Sequence, residues 1–213
     1  MPTITRSPIA ILVCSLVLLL VSCSSSTPTE SPQKAQAPPK QAEYETAREA
    51  FQKMFLAAHN WAADAQPFRL QSQYSAGAPV REGKEGLWRA SFASPARKQM
   101  KMFMWSGLVG PNAPEQGISF SAEDSWSPTN TSTAIFNLGF LKIDSDKAFD
   151  VAEKHGGEKL MAKDTQQPVI FVLDWDGSKN LLLWHVIYGE NQDTAKLQVA
   201  VNATTGDFAG VEK

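Results

Sequence analysis

Few residues in this 213-residue chain have the type and spacing that chemistry on a substrate requires. The histidines, His59, His155 and His185, lack the His-x-x-x-His or Glu-x-x-His spacing that places two metal ligands on one helix face. Residues 174–177, Asp-Trp-Asp-Gly, begin like a calcium loop, but the twelfth position is His185 instead of Glu, so the Asp-Gly pair indicates a hairpin turn. No serine stands in a Gly-x-Ser-x-Gly motif, and no glycine-rich phosphate loop is present. The sequence therefore predicts no catalytic residue, no metal site and no cofactor, and we expect that the protein is not an enzyme.

A thiol is the other reactive group, because Cys14 and Cys23 are the only cysteines. An apolar run from Ile9 to Val21 has the length of a signal-peptide hydrophobic region and is short for a bilayer span of about 20 residues. It ends in the sequence Leu-Val-Ser-Cys at 20–23, which resembles the cleavage motif of a bacterial lipoprotein. This resemblance implies that residues 1–22 are a signal peptide removed before Cys23 and that the Cys23 thiol is joined to diacylglycerol. A plain secretory signal and an uncleaved anchor helix are the alternatives.

Residues 23–40 are rich in Ser, Thr, Pro and Gln, and no aliphatic side chain among them is larger than Ala. Such a segment cannot bury enough apolar surface to offset the entropy of ordering, so we expect a disordered tether. Ser24 follows the cysteine, and in Gram-negative lipoproteins a residue other than Asp there implies transport to the outer membrane. The resemblance therefore implies a lipid-anchored protein of the bacterial cell envelope, facing the periplasm from the outer membrane if the host is Gram-negative.

Hydrophobic periodicity beyond the tether predicts two similar units. A helix is expected at about 42–65, since apolar residues recur at helical spacing and Pro67 follows. A second helix is expected to begin near Ile143, with Asp144 or Ser145 as its cap, and to end at the Gly-Gly pair 156–157. Alternating patterns predict strands at 68–74, 87–92, 99–105, 118–120, 169–173, 181–188, 196–201 and 208–211. The predicted fold class is α+β, with two consecutive helix plus antiparallel-sheet units at 41–130 and 134–213.

The two units can be aligned on one aromatic strand. Residues 88–92, Trp-Arg-Ala-Ser-Phe, match residues 184–188, Trp-His-Val-Ile-Tyr, at a spacing of 96. With a slip of one residue, the next strand aligns Met100, Met102 and Met104 with Leu197, Val199 and Val201. This alignment predicts an internal repeat. A single α+β domain whose strands share a pattern by chance is the alternative.

The second unit resembles the PepSY superfamily over about residues 143–213. The resemblance is carried by the helix at 144–157, the aromatic strand at 183–188 and the closing hairpin with Thr205-Gly206. The first unit matches loosely, since the sequence Trp-Ser-Gly at 105–107 stands where the Thr-Gly turn is expected. The resemblance implies a small extracytoplasmic module that binds proteins, similar to the inhibitory propeptides of thermolysin-type peptidases, and it supplies no catalytic residues.

These features together predict a lipid-anchored, non-catalytic module that binds an envelope protein or peptide, with an extracytoplasmic peptidase as one candidate partner. The net charge of −2 argues against nucleic acid as a partner. Trp105, Trp126 and Trp175 lie at strand ends or in loops and are predicted as partner anchors, since aromatic side chains are enriched at interfaces; covering the surface between units is the alternative. Sheet edges or a cleft between the units would supply the surface. A carrier of a small apolar ligand, and a hydrolase with scattered catalytic residues, remain open.

Replacing Cys23 by Ala tests the predicted anchor. We expect the Cys23→Ala protein to stay uncleaved and to take up no palmitate label, because the thiol that receives the lipid is gone. Cys14→Ala is the matched control and should be cleaved and labelled as usual. Normal palmitate labelling of Cys23→Ala would contradict the lipid assignment.

Overall fold

The computed structural model describes residues 40–75 and 82–212. The predicted signal peptide, Cys23 and the tether up to residue 39 lie outside the described residues. The helices are α1 (Ala47–Trp61), α2 (Ser145–Ala152) and α3 (Glu158–Lys163). The strands are β1 (Glu45–Thr46), β2 (Gln66–Ser72), β3 (Lys84–Glu85), β4 (Leu87–Ser94), β5 (Gln99–Ser106), β6 (Gly117–Phe120), β7 (Asp124–Ser125), β8 (Val169–Asp176), β9 (Leu181–Tyr188), β10 (Leu197–Asn202) and β11 (Phe208–Val211).

Helix α1 is shorter than the predicted span of 42–65 because a capping box fixes its start. The Thr46 hydroxyl accepts a hydrogen bond from the Glu49 N–H, and the Glu49 carboxylate accepts one from the Thr46 N–H. The residues before the cap are extended, since β1 pairs with β3. The buried stripe of the helix consists of Ala47, Ala50, Phe51, Met54 and Ala58.

One large antiparallel sheet contains strands from both predicted units. Its order is β11-β10-β9-β8-β2-β4-β5-β6, and β7 also pairs with β5. The predicted α+β class with an antiparallel sheet is confirmed. The strand pair β2–β8 joins the two halves, and both contribute to one hydrophobic core. The unit boundaries at 41–130 and 134–213 stay a prediction.

Two tryptophans occupy equivalent places in the two halves. Trp88 and Trp184 are fully buried. The Trp88 Nε1–H donates to the Glu45 carbonyl at 3.0 Å, and the Trp184 Nε1–H donates to the Ile143 carbonyl at 2.9 Å. In both halves the accepting residue immediately precedes the helix N-cap. Each indole therefore ties its strand to the start of its helix, as expected for the internal repeat.

The predicted alignment of the following strand is wrong by one residue. Trp88 pairs with Trp105, and Trp184 pairs with Val201, so the spacing of 96 continues without a slip. Phe103 is therefore equivalent to Val199, and both belong to the main core. The methionines of β5 lie on the opposite face, where Met100 packs with Phe68, Ala93 and Trp126.

The strand pairing places a local two-fold axis at the centre of the sheet. Ser72 pairs with Trp88 and Leu173 pairs with Trp184, so Ser72 and Leu173 are equivalent positions. One residue earlier in each strand, Gln71 and Val172 are equivalent, and these two residues pair with each other. Equivalent residues can pair across an antiparallel junction only where a two-fold axis passes between them.

The same symmetry brings the N-termini of α1 and α2 together. The Ala47 N–H donates to the Ser145 hydroxyl at 2.9 Å, and the Arg48 N–H donates to the Asp144 carboxylate at 3.0 Å. The Asp144 carboxylate also accepts from the Ser145 N–H, and the Ser145 hydroxyl donates to the Gly83 carbonyl at 2.6 Å. Asp144 is confirmed as the cap of α2, and it caps α1 as well.

Helix α2 leads into a kinked turn at residues 153–157 before α3 begins. Gly156 has a φ of +122°, which side chains with a Cβ rarely adopt. Gly157 lies so close to Tyr188 that a Cβ would be 1.9 Å from the phenol oxygen. The predicted Gly-Gly pair thus provides both a left-handed backbone and room for the Tyr188 hydroxyl, which donates to the Glu153 carboxylate.

Replacing Asp144 by Ala tests the shared cap. We expect the free energy of unfolding, measured with urea, to fall by about 2 kcal/mol, since each helix loses a cap worth about 1 kcal/mol. Asp144→Asn should lose less, because the amide oxygen still accepts hydrogen bonds. Asp150→Ala on the exposed side of α2 is the matched control, with an expected change within about 0.5 kcal/mol. A loss of about 1 kcal/mol for Asp144→Ala would show that it caps only one helix, and a loss equal to that of Asp150→Ala would show that it caps neither.

Candidate functional site

An apolar groove lies between α1 and the segment that leads into α2. Its volume is about 450 Å³, within the usual range for ligand pockets. The lining residues are Arg48, Phe51, Gln52, Phe55, Leu56, Leu138 and Leu141. A short 3₁₀ turn, Leu138–Phe140, forms the second wall, and the Asn137 side chain caps it by accepting from the Gly139 N–H at 2.7 Å. The capping box of α1 fixes the start of one wall, and the Asn137 cap fixes the start of the other.

Exposed apolar side chains continue this groove toward Trp175. Leu56 is 68% exposed and Phe140 is 43% exposed, which is unusual for such large apolar groups. The ring centroids of Phe140 and Trp175 are 5.4 Å apart, and Trp175 is half-buried at the end of β8. Arg48 lies at the polar rim, where its guanidinium donates to the carbonyl of the exposed Lys142. Apolar walls with a basic rim suit an apolar ligand that carries a negative charge.

The structure places the other two predicted anchors in the interior. Trp105 is 3% exposed and belongs to the main core, with the Lys53 ammonium 5.1 Å from its ring centroid. Trp126 is 8% exposed and packs on the opposite face of the sheet, where its Nε1–H donates to the Thr133 carbonyl at 3.0 Å. Among the three predicted anchors, Trp175 alone has a half-accessible ring.

The cleft expected between the units is occupied by the hydrogen-bonded strand pair β2–β8. The outer strands of the sheet, β6 and β11, are four residues each and carry exposed side chains. Phe120 on β6 is 64% exposed, with the Lys101 ammonium 4.3 Å from its ring centroid. Short edges with a nearby lysine are typical of protected sheet edges.

A charged cluster that the sequence did not reveal lies on the sheet face opposite the helices. His185 Nδ1 is 2.7 Å from a Glu212 carboxylate oxygen, and Nε2 is 3.3 Å from an Asp174 carboxylate oxygen. Arg69 donates to the other oxygen of Asp174 at 2.9 Å. His185 shares a face with Leu183 and Ile187, as the alternation predicts, and its polar partners come from β8 and from the residue after β11. The signal available in the sequence was a lone His inside an apolar strand.

The cluster perturbs the pKa values of its members. Burial by itself would lower the pKa of His185, but hydrogen bonds and charges from Asp174 and Glu212 outweigh burial and raise it. Burial would likewise raise the pKa of Asp174, but His185 and Arg69 hold it below its ordinary value. The His185 imidazolium on β9 therefore links Asp174 on β8 with Glu212, which follows β11.

The remaining histidines make local contacts. His59 Nδ1 is 3.1 Å from the Phe55 carbonyl, and His155 Nδ1 is 2.8 Å from the Val151 carbonyl and stacks its ring on Phe208. Within residues 40–75 and 82–212, no group of three or more His, Cys, Asp or Glu side chains is arranged to hold a metal ion. No helix in this part of the chain has the length and apolar character that crossing a membrane requires.

One carboxyl pair bears on the hydrolase alternative. Glu45 and Glu85 are opposite each other in the β1–β3 pair, and burial raises the pKa of Glu85 to about 8. Lys53 forms an ion pair with Glu45. Neither carboxyl lines the apolar groove. The expectation that the chain is not an enzyme stays a prediction.

The fold is similar to that of a solved structure. The crystal structure of a "putative lipoprotein" from Clostridium difficile 630 matches with a TM-score of 0.50 and 10% sequence identity, covering 81% of this chain and 96% of that chain. No protein-family model matches the chain, and no curated protein matches it. At such low identity the likeness concerns the fold alone.

The His185 cluster predicts a stability difference that depends on pH. A raised pKa in the folded state means that the stabilisation is complete below the ordinary value of 6.5 and is lost as the pH rises through the folded pKa. The lowered pKa of Asp174 keeps its contribution present above 3.8. We therefore expect His185→Gln to lower the free energy of unfolding by about 1–3 kcal/mol between pH 3.8 and pH 6.5, and by less in alkaline buffer.

Urea unfolding at a series of pH values measures this difference. His59→Gln is the matched control, since His59 has no ion pair with a described residue, and its cost should not vary in the same way. Glu212→Gln should flatten the pH dependence. A cost of His185→Gln that stays constant into alkaline buffer would contradict the carboxylate–imidazolium interaction.

Proposed function

We propose that this chain is a lipid-anchored, non-catalytic protein of the bacterial cell envelope that binds a segment of another protein in the groove beside α1. The groove, with Leu56 and Phe140 exposed around it, is the observation that carries the proposal. Cys23 is the proposed anchor, supported by the Leu-Val-Ser-Cys motif. The fold is similar to that of a structure described as a lipoprotein, which agrees with this anchor. Ser24 after the cysteine agrees with placement at an outer membrane.

The groove suits an apolar segment with an acidic residue at one end. Its walls are aromatic and aliphatic, and Arg48 provides positive charge at the rim. The neighbouring acids are engaged elsewhere, since Glu49 and Asp144 both cap helices. Trp175 extends the apolar surface through Phe140, as a half-buried aromatic anchor for the partner. The proposed partner is an envelope protein, and an extracytoplasmic peptidase is one candidate.

A carrier of a small apolar ligand is the second candidate. The groove volume of about 450 Å³ and its apolar lining favour it. Organic extraction of the purified full-length protein, followed by mass spectrometry, distinguishes the two functions. A stoichiometric apolar compound, together with no protein adduct in the experiment below, would replace the first proposal with the second.

Photo-crosslinking in intact cells tests the protein-binding proposal. A photoreactive amino acid at Leu56 should give one defined adduct with an envelope protein, because this side chain borders the groove. The same amino acid at Val109, which is 49% exposed on the loop after β5, should give none. Arg48→Glu should reduce the Leu56 adduct roughly tenfold by opposing an acidic partner, whereas Lys163→Glu on α3 should not.

Two results would contradict the proposal. An adduct at Phe120 but not at Leu56 would move the contact to the sheet edge. No adduct at any of these positions in cells that produce the mature protein would remove the support for a protein partner in the groove.

A further inference from the structure

A second groove lies on the sheet face opposite the helices. Its volume is about 380 Å³, and it crosses β2, β4 and β5. Leu70, Trp88 and Ala90 belong to the core under the helices, so the alternate residues of the same strands face this groove. The polar residues of the floor are Arg69, Gln71, Arg89 and Ser91, and the apolar ones include Met100 and Met102.

The four polar residues form a compact group across two strands. Arg69 is opposite Ser91, and Gln71 is opposite Arg89, so the two arginines are diagonal neighbours on one face. Arg69 is held in place by Asp174, whose carboxylate accepts from the Arg69 guanidinium at 2.9 Å. Asp174 is held in turn by His185. One guanidinium is therefore positioned by other residues before any ligand arrives.

Both arginines have buried donors without acceptors. The Nε atoms of Arg69 and Arg89 are inaccessible to solvent and lack a hydrogen-bond partner within the described residues. Nearly all buried polar groups in proteins are paired, so two unpaired guanidinium donors in one groove require an explanation. Because both Nε atoms are enclosed, an anion in the groove would contact the terminal nitrogens of the two guanidinium groups and balance their delocalised charge.

The charges in the groove set the charge of that anion. Asp174 balances Arg69, whereas Arg89 has no ion pair with any residue in the described part of the chain. Asp124 is exposed, and its carboxylate accepts from the Ser125 N–H. The Lys101 ammonium lies over the Phe120 ring at the sheet edge. The excess is a single positive charge, which a carboxylate balances and a phosphate dianion exceeds.

We propose that this groove binds a carboxylate group of a second molecule through the guanidinium groups of Arg89 and Arg69. The guanidinium fork matches a carboxylate geometrically, and the Gln71 amide and Ser91 hydroxyl add donors beside it. Met100 and Met102 receive the apolar neighbour of the carboxylate. The site is separate from the apolar groove, so either one can fail without the other.

Titration of the full-length protein in detergent micelles tests the site, with the arginine Nε–H signals followed by NMR. The probes are N-acetyl-leucine, for a terminal carboxylate, and N-acetyl-glutamic acid α-amide, for a side-chain carboxylate. We expect saturable shifts of the Arg69 and Arg89 signals with at least one probe, and none of the Arg97 signal. Saturation by the first probe identifies a chain terminus as the source, and by the second an acidic side chain.

Variants make the test specific. Arg89→Gln should weaken binding roughly tenfold or more, and Arg97→Gln, the matched control, should leave it unchanged. Arg89→Lys keeps the charge and lacks the planar guanidinium fork, so it should also weaken binding, and it serves if Arg89→Gln fails to fold. Shifts that sodium chloride reproduces at equal ionic strength, tighter binding of inorganic phosphate than of either probe, or unchanged affinity in both Arg89 variants would overturn the proposal.

Discussion

Two helix N-termini meet head to head at the centre of this protein, and the surrounding structure depends on how their positive ends are neutralised. Helix dipoles in this arrangement repel each other, and the first N–H groups of each helix need acceptors. Asp144 and Ser145 supply acceptors to both helices, and Ser145 also bonds the backbone at Gly83. The buried indoles of Trp88 and Trp184 then hold each helix start against its strand. The two halves of the chain are therefore joined by capping as well as by β2–β8 pairing.

This arrangement gives the two faces of the sheet different chemistry. The helices fill one face with aromatic and aliphatic side chains, and the groove beside α1 is where that packing leaves apolar surface open. The helices α1 to α3 pack on the first face, so the other face accommodates Arg69, Arg89, Asp174 and His185 between smaller apolar clusters. Charged groups there are half-buried, which strengthens their interactions and makes unpaired donors costly.

The long strands and the helices α1 and α2 could be predicted because each is specified locally, whereas α3 and the two-residue strands β1, β3 and β7 were not predicted. Period-two patterns located the long strands, and the cap at Asp144 was readable from residue types. The register of β5 could not be read, since Lys101, Phe103 and Trp105 make a less apolar row than Met100, Met102 and Met104, yet the aromatic row faces the core. Trp105 and Trp126 are covered by residues distant in sequence, and Asp174, His185 and Glu212 meet only through strand pairing. The apolar groove was equally hidden, because its two walls are far apart in sequence.

The pairing of equivalent strands at the centre of the sheet has a consequence for specialisation. A chain with one helix and four strands, associating with an identical copy through its first strand, would give the same eight-strand order. The present chain corresponds to that homodimer fused into one polypeptide. An identical pair must repeat every side chain on both sides of the axis, whereas fused halves can diverge. Arg89 and His185 occupy equivalent positions, but their roles differ. Arg89 faces a groove and has an unpaired Nε donor, whereas His185 bridges two carboxylates.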